Sequence, residues 1–237
     1  MKKRKKILIR IIIVLVAFLI SSVLLFNISK MRDFQFFGEV INKVDTNEKK
    51  VALTFDDGPT ENTEHILDKL DELDIKATFF LCGIGIDDRK EDSKEIVKRE
   101  HCVGNHSYSH KRMIGVSYNF CKDEIEKTNA LIREIGYEKE IYFRAPYFKK
   151  LFALPLYLNN TNMISVTCDV EPETFLGYDA ASDELASYVI ENVENGSIIL
   201  MHPMYNDNSL EAVEKIVLEL KKQGYKFCKL DELINSK

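Results

Sequence analysis

Val51-Ala52-Leu53-Thr54-Phe55-Asp56-Asp57-Gly58-Pro59 is an apolar run that stops at two adjacent carboxylates and a Gly-Pro turn. A short apolar, β-branched and aromatic run bounded by turn residues reads as a buried strand. Neighbouring strand residues point to opposite faces, yet a turn directly afterwards can bring both carboxylates to one rim. Taken alone, the pair is equally compatible with a polar strand-to-loop junction.

Outward from this strand the same grammar repeats. An earlier strand is expected around Phe36 to Val44, with the turn-like Asp45, Thr46 and Asn47 making an opening hairpin. Downstream, strands are expected at Ala77 to Leu81, Cys102 to Val103, Ile141 to Phe143, Ile164 to Cys168, Ser197 to Met201 and Tyr225 to Lys229. Helical periodicity fills the gaps, most clearly over Thr63 to Leu73, Cys121 to Ile135, Asp183 to Val193 and Leu210 to Lys222, the last ended by Gly224. Alternating strands and helices imply an α/β fold with parallel strands. Periodicity permits an open doubly wound sheet or a barrel. Asp56, His106, Arg144, Asp169 and His202 each fall at or just past the C-terminal end of a different expected strand, which favours a barrel.

The N-terminus has a different character. Lys2, Lys3, Arg4, Lys5 and Lys6 precede an apolar run from Ile11 through Phe26 broken only by Ser21 and Ser22. The run is longer than a secretory signal's apolar region and no small-residue cleavage site follows, so a retained membrane-spanning helix is favoured over a cleaved signal or a buried core helix. The basic cluster then stays on the cytoplasmic face and the rest of the chain lies outside. The expected organisation is a basic stub and anchor over 1–30, a short linker and opening strand over 31–49, and a catalytic domain over 50–237. Residues 31–237 retain 26 of the 33 basic residues and all 38 acidic ones, a net charge of −12. So acidic a body argues against nucleic acid as a partner. Five cysteines without a CxxC pair suggest buried free thiols, with one disulfide left open.

The second chemical feature is His106-Ser107-Tyr108-Ser109-His110. On a helical turn the HxxxH spacing puts both imidazoles on one side, as two ligands of one metal require. Two surface histidines on a helix are the plain alternative, but added to the Asp-Asp turn the pair can complete a two-histidine, one-carboxylate shell with open positions for water and substrate. A phosphatase-type nucleophile needs an alternating D-x-D pair, which adjacent Asp56 and Asp57 do not supply.

TFDDGP at 54–59, HSYSH at 106–110, Arg144-Ala145-Pro146-Tyr147 and Leu200-Met201-His202 resemble the ordered motifs of the polysaccharide deacetylase (NodB-homology, carbohydrate esterase four) family over about Lys50 to Leu233. The resemblance implies a distorted (β/α) barrel with fewer than eight full repeats and a divalent metal, usually Zn2+, with Co2+ or Mn2+ as alternatives. It makes Asp57, His106 and His110 the metal ligands and Asp56 the general base. It also makes His202 the acid that protonates the departing amine, with Arg144 paired to the base and Asp169 orienting the acid. Tyr147, with Pro146 beside it, is implied at the oxyanion position, and Leu200 in the pocket for the acetyl methyl. The implied activity is metal-dependent removal of N-acetyl groups from a GlcNAc-containing cell-surface polysaccharide, with peptidoglycan first among them. The alternative is a catalytically silent glycan-binding protein on the same fold. His65 and His101 match no motif and read as solvated or structural. Read by itself, Arg144 is a surface ion pair and Asp169 a strand-end cap.

One motif departs from the family. Its fourth commonly reads Asp-x-x-Asp-Trp, whereas this chain runs Asp169-Val170-Glu171-Pro172-Glu173-Thr174-Phe175 and contains no Trp. The aromatic wall of the acetyl pocket then has to come from Phe175 or Tyr178.

Overall fold

The computed structural model describes residues 2–236, so Met1 and Lys237, the outer limits of the expected segments, lie outside the described residues. A single helix, α1 (Lys2–Ser29), precedes the body. At 1.5 Å per residue its 28 residues reach roughly 42 Å, enough to cross a ~30 Å hydrocarbon layer. Its apolar side chains are exposed along its length.

In the body the order is β1 (Val40–Ile41), β2 (Lys50–Gly58), α2 (Thr63–Glu72), β3 (Thr78–Leu81), α3 (Gly83–Asp88), α4 (Lys90–Lys98), β4 (Cys102–Asn105) and α5 (Tyr118–Glu134). There follow α6 (Ala153–Asn160), β5 (Ser165–Val166), α7 (Glu173–Leu176), α8 (Ser182–Asn192), β6 (Ile198–Met201), α9 (Asp207–Lys222), β7 (Lys226–Cys228) and α10 (Leu230–Ile234). All the strand pairings are parallel, as buried βα units require.

β2 is the centre. It pairs with β3 on one side and β6 on the other, and its first residues, Lys50 to Ala52, pair with β7. β3 pairs with β4, and single bridges carry the circuit onward, Asn105 to Phe143 and Phe143 to Ser165 in β5. A last bridge from Val170 to Ile199 returns it to β6. The fold is therefore a barrel, closed on one side by bridges where regular strands are missing. The strand expected at Ile141 to Phe143 is reduced to the single residue Phe143, which makes two of them.

The opening hairpin does not form. β1 pairs with β5 and not with β2, Val40 opposite Ser165 and Ile41 opposite Val166. The chain after it is held to the strand of β6, with Lys43 bridging Ser197 and Val44 N–H donating to Gly196 O at 2.9 Å. Gly196 has φ +79, and a Cβ there would lie 1.8 Å from Val44 O, so this close crossing demands glycine. Residues 31–49 are thus built into the body.

The helices follow the expected apolar faces. Ile66, Leu67 and Leu70 of α2 and Val213, Ile216, Val217 and Leu220 of α9 are buried against the barrel. Capping sets two starts: Ser117 accepts from Phe120 N–H for α5, and Asn206 accepts from Asn208 and Ser209 N–H for α9. Gly224 ends α9 at φ +90. All five cysteines are free, four of them buried, which matches the thiol reading.

Candidate active site

The carboxylates of Asp56 and Asp57 reach the same rim because β2 is irregular there. Its register against β3 shifts between Phe55 and Gly58, and Asp57 adopts φ +68. A left-handed residue inside a strand turns its side chain out of strict alternation. Asp57 therefore faces the cavity beside Asp56 and not the opposite wall.

The two histidines arrive by another route than the helical turn expected for HxxxH. Residues 106–110 form a loop after β4, with Ser107 at φ +65 and His110 at φ +53. Asn105 Oδ1 accepts from Ser107 N–H at 2.8 Å, and Ser107 Oγ accepts from His110 N–H at 3.1 Å. Glu124, on α5, accepts from both the N–H and the hydroxyl of Ser109, at 2.8 and 2.9 Å. These bonds fold the loop so that the imidazoles sit 4.9 Å apart, ring centre to ring centre. Nothing in the local spacing marks Glu124, which lies 15 residues downstream of Ser109.

Asp57, His106 and His110 each offer one ligand atom, all within 4.8 Å of one another. His106 Nδ1 lies 2.8 Å from Arg144 O, and a carbonyl can only accept, so Nδ1 carries a proton and Nε2 keeps its lone pair for the cavity. Nε2 stands 3.5 Å from Asp57 Oδ1, and His110 Nε2 stands 3.0 Å from the same oxygen. That oxygen is buried and receives no aligned hydrogen bond. Burial drives the Asp57 pKa upward, but the two imidazoles overcome it and hold the carboxyl well below the usual range. At His106 burial opposes charge, yet Asp56 and Asp57 raise its pKa. A site that draws protons onto histidine in this way also draws a metal cation, and an ionised carboxylate with two imidazoles is a suitable donor set.

Behind this cluster Asp56 is held by Arg144. The guanidinium is fully buried and donates to Asp56 Oδ1 at 2.7 Å, Thr54 Oγ1 at 2.9 Å and Thr167 O at 2.8 Å. Its face lies 4.0 Å from the Phe80 ring centre. Gly104 leaves room for that ring, since a Cβ there would come within 2.5 Å of it. Arg144 is therefore the fixed partner of Asp56 and no surface ion pair.

Across the cavity stands His202, and its partner differs from expectation. Asp169 accepts from Ser197 Oγ and from Ile198 N–H, both at 2.7 Å, at the start of β6, and does not reach His202. Asp169 is a strand-end cap. Its place is taken by Glu173, the first residue of α7, whose Oε2 lies 3.8 Å from His202 Nδ1. Glu173 Oε1 accepts from His202 N–H at 3.1 Å and Ser209 Oγ at 2.8 Å. Burial disfavours the imidazolium, but Glu173 outweighs it and raises the His202 pKa to about 9. Glu173 in turn is lowered by its histidine against the upward push of burial.

Asp56, Asp57, His106, His110, Tyr147, Leu200 and His202 line one cavity of about 300 Å³. A second cavity of about 290 Å³ adjoins it through Asp57, Tyr178 and His202. Pro146 is buried beside the first without lining it, and shapes the turn in which Tyr147 takes φ +56. Of the two aromatic candidates, Tyr178 lines the cavity with its ring 5.5 Å from His202, while Phe175 stacks on Tyr188 and points elsewhere. His101 is buried and its Nδ1 accepts from Ala77 N–H at 3.1 Å, whereas His65 is exposed. Lys30 and Arg32, from the segment that leaves α1, also line the cavity.

The family model described as Polysaccharide deacetylase matches residues 43–164. A peptidoglycan-N-acetylglucosamine deacetylase of Bacillus cereus is 32% identical over 194 residues, 80% of this chain and 70% of that protein. Among solved structures, the Bc1960 peptidoglycan N-acetylglucosamine deacetylase superposes with a TM-score of 0.78 at 31% identity, covering 83% of this chain and 92% of the other. A CE4 family pseudoenzyme from Bacillus anthracis superposes with a TM-score of 0.76 at 29% identity, covering 84% and 70%.

Proposed function

This chain belongs to the polysaccharide deacetylase family, and from that premise we propose that it is a membrane-anchored, metal-dependent N-deacetylase of a GlcNAc-containing cell-surface polysaccharide, with peptidoglycan as the polymer. The observation that carries the reading is one cavity that joins three converging metal-type donors, a carboxylate clamped by a buried arginine, and a histidine whose pKa is raised to about 9.

Asp57, His106 and His110 would hold the cation, Zn2+ in the first instance with Co2+ or Mn2+ as substitutes. Bound there, it supplies Lewis acidity, lowering the pKa of water and polarising the acetyl carbonyl. Asp56 accepts the proton of the water that attacks the carbonyl carbon, and Arg144 fixes its geometry for that transfer. The Tyr147 N–H stabilises negative charge on the carbonyl oxygen. His202 gives its proton to the nitrogen as the C–N bond breaks, which leaves acetate and a free amine on the sugar. A pKa of about 9 keeps that acid loaded at neutral pH. Leu200 and Tyr178 line the space offered to the methyl group.

Exposed Tyr147, Tyr178 and Tyr205 border the two adjoining cavities. Their rings are suited to stack on successive sugars, which supports a polymer over a small amide. In this reading α1 stays in the membrane and the body lies on its outer face.

The similarity to a pseudoenzyme favours one competing reading, a glycan-binding protein without turnover. Acetate release separates the two. The full chain in detergent, loaded with zinc, cobalt or manganese, is expected to release acetate from peptidoglycan or GlcNAc oligomers, and Asp56→Asn or a chelator should abolish the release. Glycan binding without acetate under all three metals would overturn the enzymatic reading.

A further inference from the structure

The chain leaves α1 at Ser29 and is fastened to the body almost at once. Lys150 donates its backbone N–H to Ser29 O at 2.9 Å and its buried ammonium to Met31 O at 2.6 Å. Thr167 Oγ1 donates to Arg32 O at 2.5 Å, and the Arg32 guanidinium pairs with Glu171 and lies 4.8 Å from the Phe148 ring centre. No flexible spacer separates helix from catalytic body, so the body's orientation is set relative to the α1 axis.

Beside this junction the surface changes character. Met31, Phe34, Phe36, Phe37 and Phe152 are all exposed, with Phe36 packed 5.5 Å from Phe34 and 4.7 Å from Phe152. The ammonium groups of Lys149 and Lys30 sit 4.4 and 5.6 Å from the ring of Phe26, in the last turn of α1. Neither lysine has an ion pair among the described residues. Burial first, then repulsion from Lys30 and Arg112, lowers the Lys149 pKa. A body whose net charge is −12 thus carries two lysines without ion pairs and clustered phenyl rings at the exit of its apolar helix, with Asp33 and Glu39 exposed in the same stretch. Rings and cations in that position match the headgroup layer of a bilayer, where aromatic belts and basic side chains gather.

We propose that this surface docks on the outer headgroup layer of the bilayer that α1 spans, Phe34, Phe36 and Phe152 entering the interface and Lys30 and Lys149, which also stand on the rim of the cleft, meeting lipid phosphates, so that the cleft is held at the membrane surface. The glycan it meets is then the membrane-proximal layer. The inference rests on α1 remaining as an anchor, and does not depend on turnover.

Since the chain contains no Trp, Phe36→Trp creates a single reporter. The full chain is reconstituted into phosphatidylcholine vesicles with or without phosphatidylglycerol, containing lipids brominated near the headgroup end of the acyl chains. Indole emission from the Phe36→Trp variant should shift to the blue and be mostly quenched, while Leu218→Trp, on exposed α9, keeps its own. Phe152→Trp repeats the measurement should the first variant fold poorly. Lys30→Glu with Lys149→Glu should reduce quenching more in the anionic vesicles than in the neutral ones. Vesicle flotation with unquenched emission from both the Phe36→Trp and the Phe152→Trp variants overturns the docking. Failure to float overturns the anchor and the docking with it. Neither outcome touches the deacetylase reading, which is decided by acetate release.

Discussion

The side of the cavity proposed to supply the base and the side proposed to supply the acid are built by different means. On the base side, Asp56 comes from the central strand and meets an arginine buried behind it, and both terminal nitrogens of that guanidinium have oxygen partners. On the acid side, His202 follows β6 at the start of a loop, and its carboxylate comes from the first turn of a four-residue helix, with Oε2 3.8 Å from the imidazole Nδ1 and no aligned hydrogen bond to the ring. Strand register makes the first side rigid. The second depends on where a short helix lies, which leaves it freer to change residues. Asp169, standing where an orienting acid was expected, has become a cap, and Glu173 has taken over.

The largest expected effect is on the base side. Arg144→Ala leaves Asp56 buried without its arginine, with only His106 Nε2 3.6 Å from the other oxygen, which should cost about 3–5 kcal/mol in denaturant melts. Were the loss below about 1 kcal/mol, as for a surface ion pair, the contrast between the two sides would collapse. Asp57→Ala removes a proposed ligand, and zinc affinity read by calorimetry should fall beyond the roughly 10–100-fold typical of losing an outer-shell partner. Gly104→Ala drives a methyl into the Phe80 ring beneath Arg144 and should destabilise by about 1–3 kcal/mol, with acetate release falling alongside.

Smaller effects belong to the acid side. His202 has its folded pKa raised to about 9 above an unfolded value near ~6.5. Its contribution to stability is therefore complete below the unfolded value and is lost as pH rises through the folded one. Activity should follow with an alkaline limb near pH 9. Glu173→Gln should move that limb down towards the ordinary histidine range and flatten the loss of melting temperature over the same interval. Asp169→Asn should leave the limb where it is and cost only about 1 kcal/mol, the value of a typical hydrogen bond. If the Asp169 variant moved the limb and the Glu173 variant did not, the reassignment of the orienting carboxylate would be wrong.

Most of the base side was legible in the chain through its resemblance to the family's ordered motifs; taken alone, Asp56-Asp57 read equally as a strand-to-loop junction and Arg144 as a surface ion pair. TFDDGP announces both the strand and the carboxylates, and HSYSH announces two imidazoles near one another. How those imidazoles meet was not legible. Helical periodicity was the available argument, whereas the structure uses two left-handed residues and a carboxylate from α5. The acid side failed for a related reason. Asp169 occupies the motif position, and only the path of the chain through Val170, Glu171 and Pro172 decides which of three acids comes to face His202.

The sequence by itself determined the alternation of strands and helices, the apolar helix at the N-terminus, the acidic body and the identity of the metal-type donors. The first three depend on side-chain chemistry and on spacing within a single element, and both are local, while the donors were joined by the order of their motifs along the chain. Only the tertiary structure decided that β1 joins β5, that Glu173 and not Asp169 serves His202, that Tyr178 and not Phe175 enters the cavity, and that Lys30 and Arg32 reach the cleft from the end of α1. Each of these joins elements far apart in the chain. Such pairings are selected by burial, close crossing and charge compensation across the whole body, and no periodicity or spacing within one element encodes them.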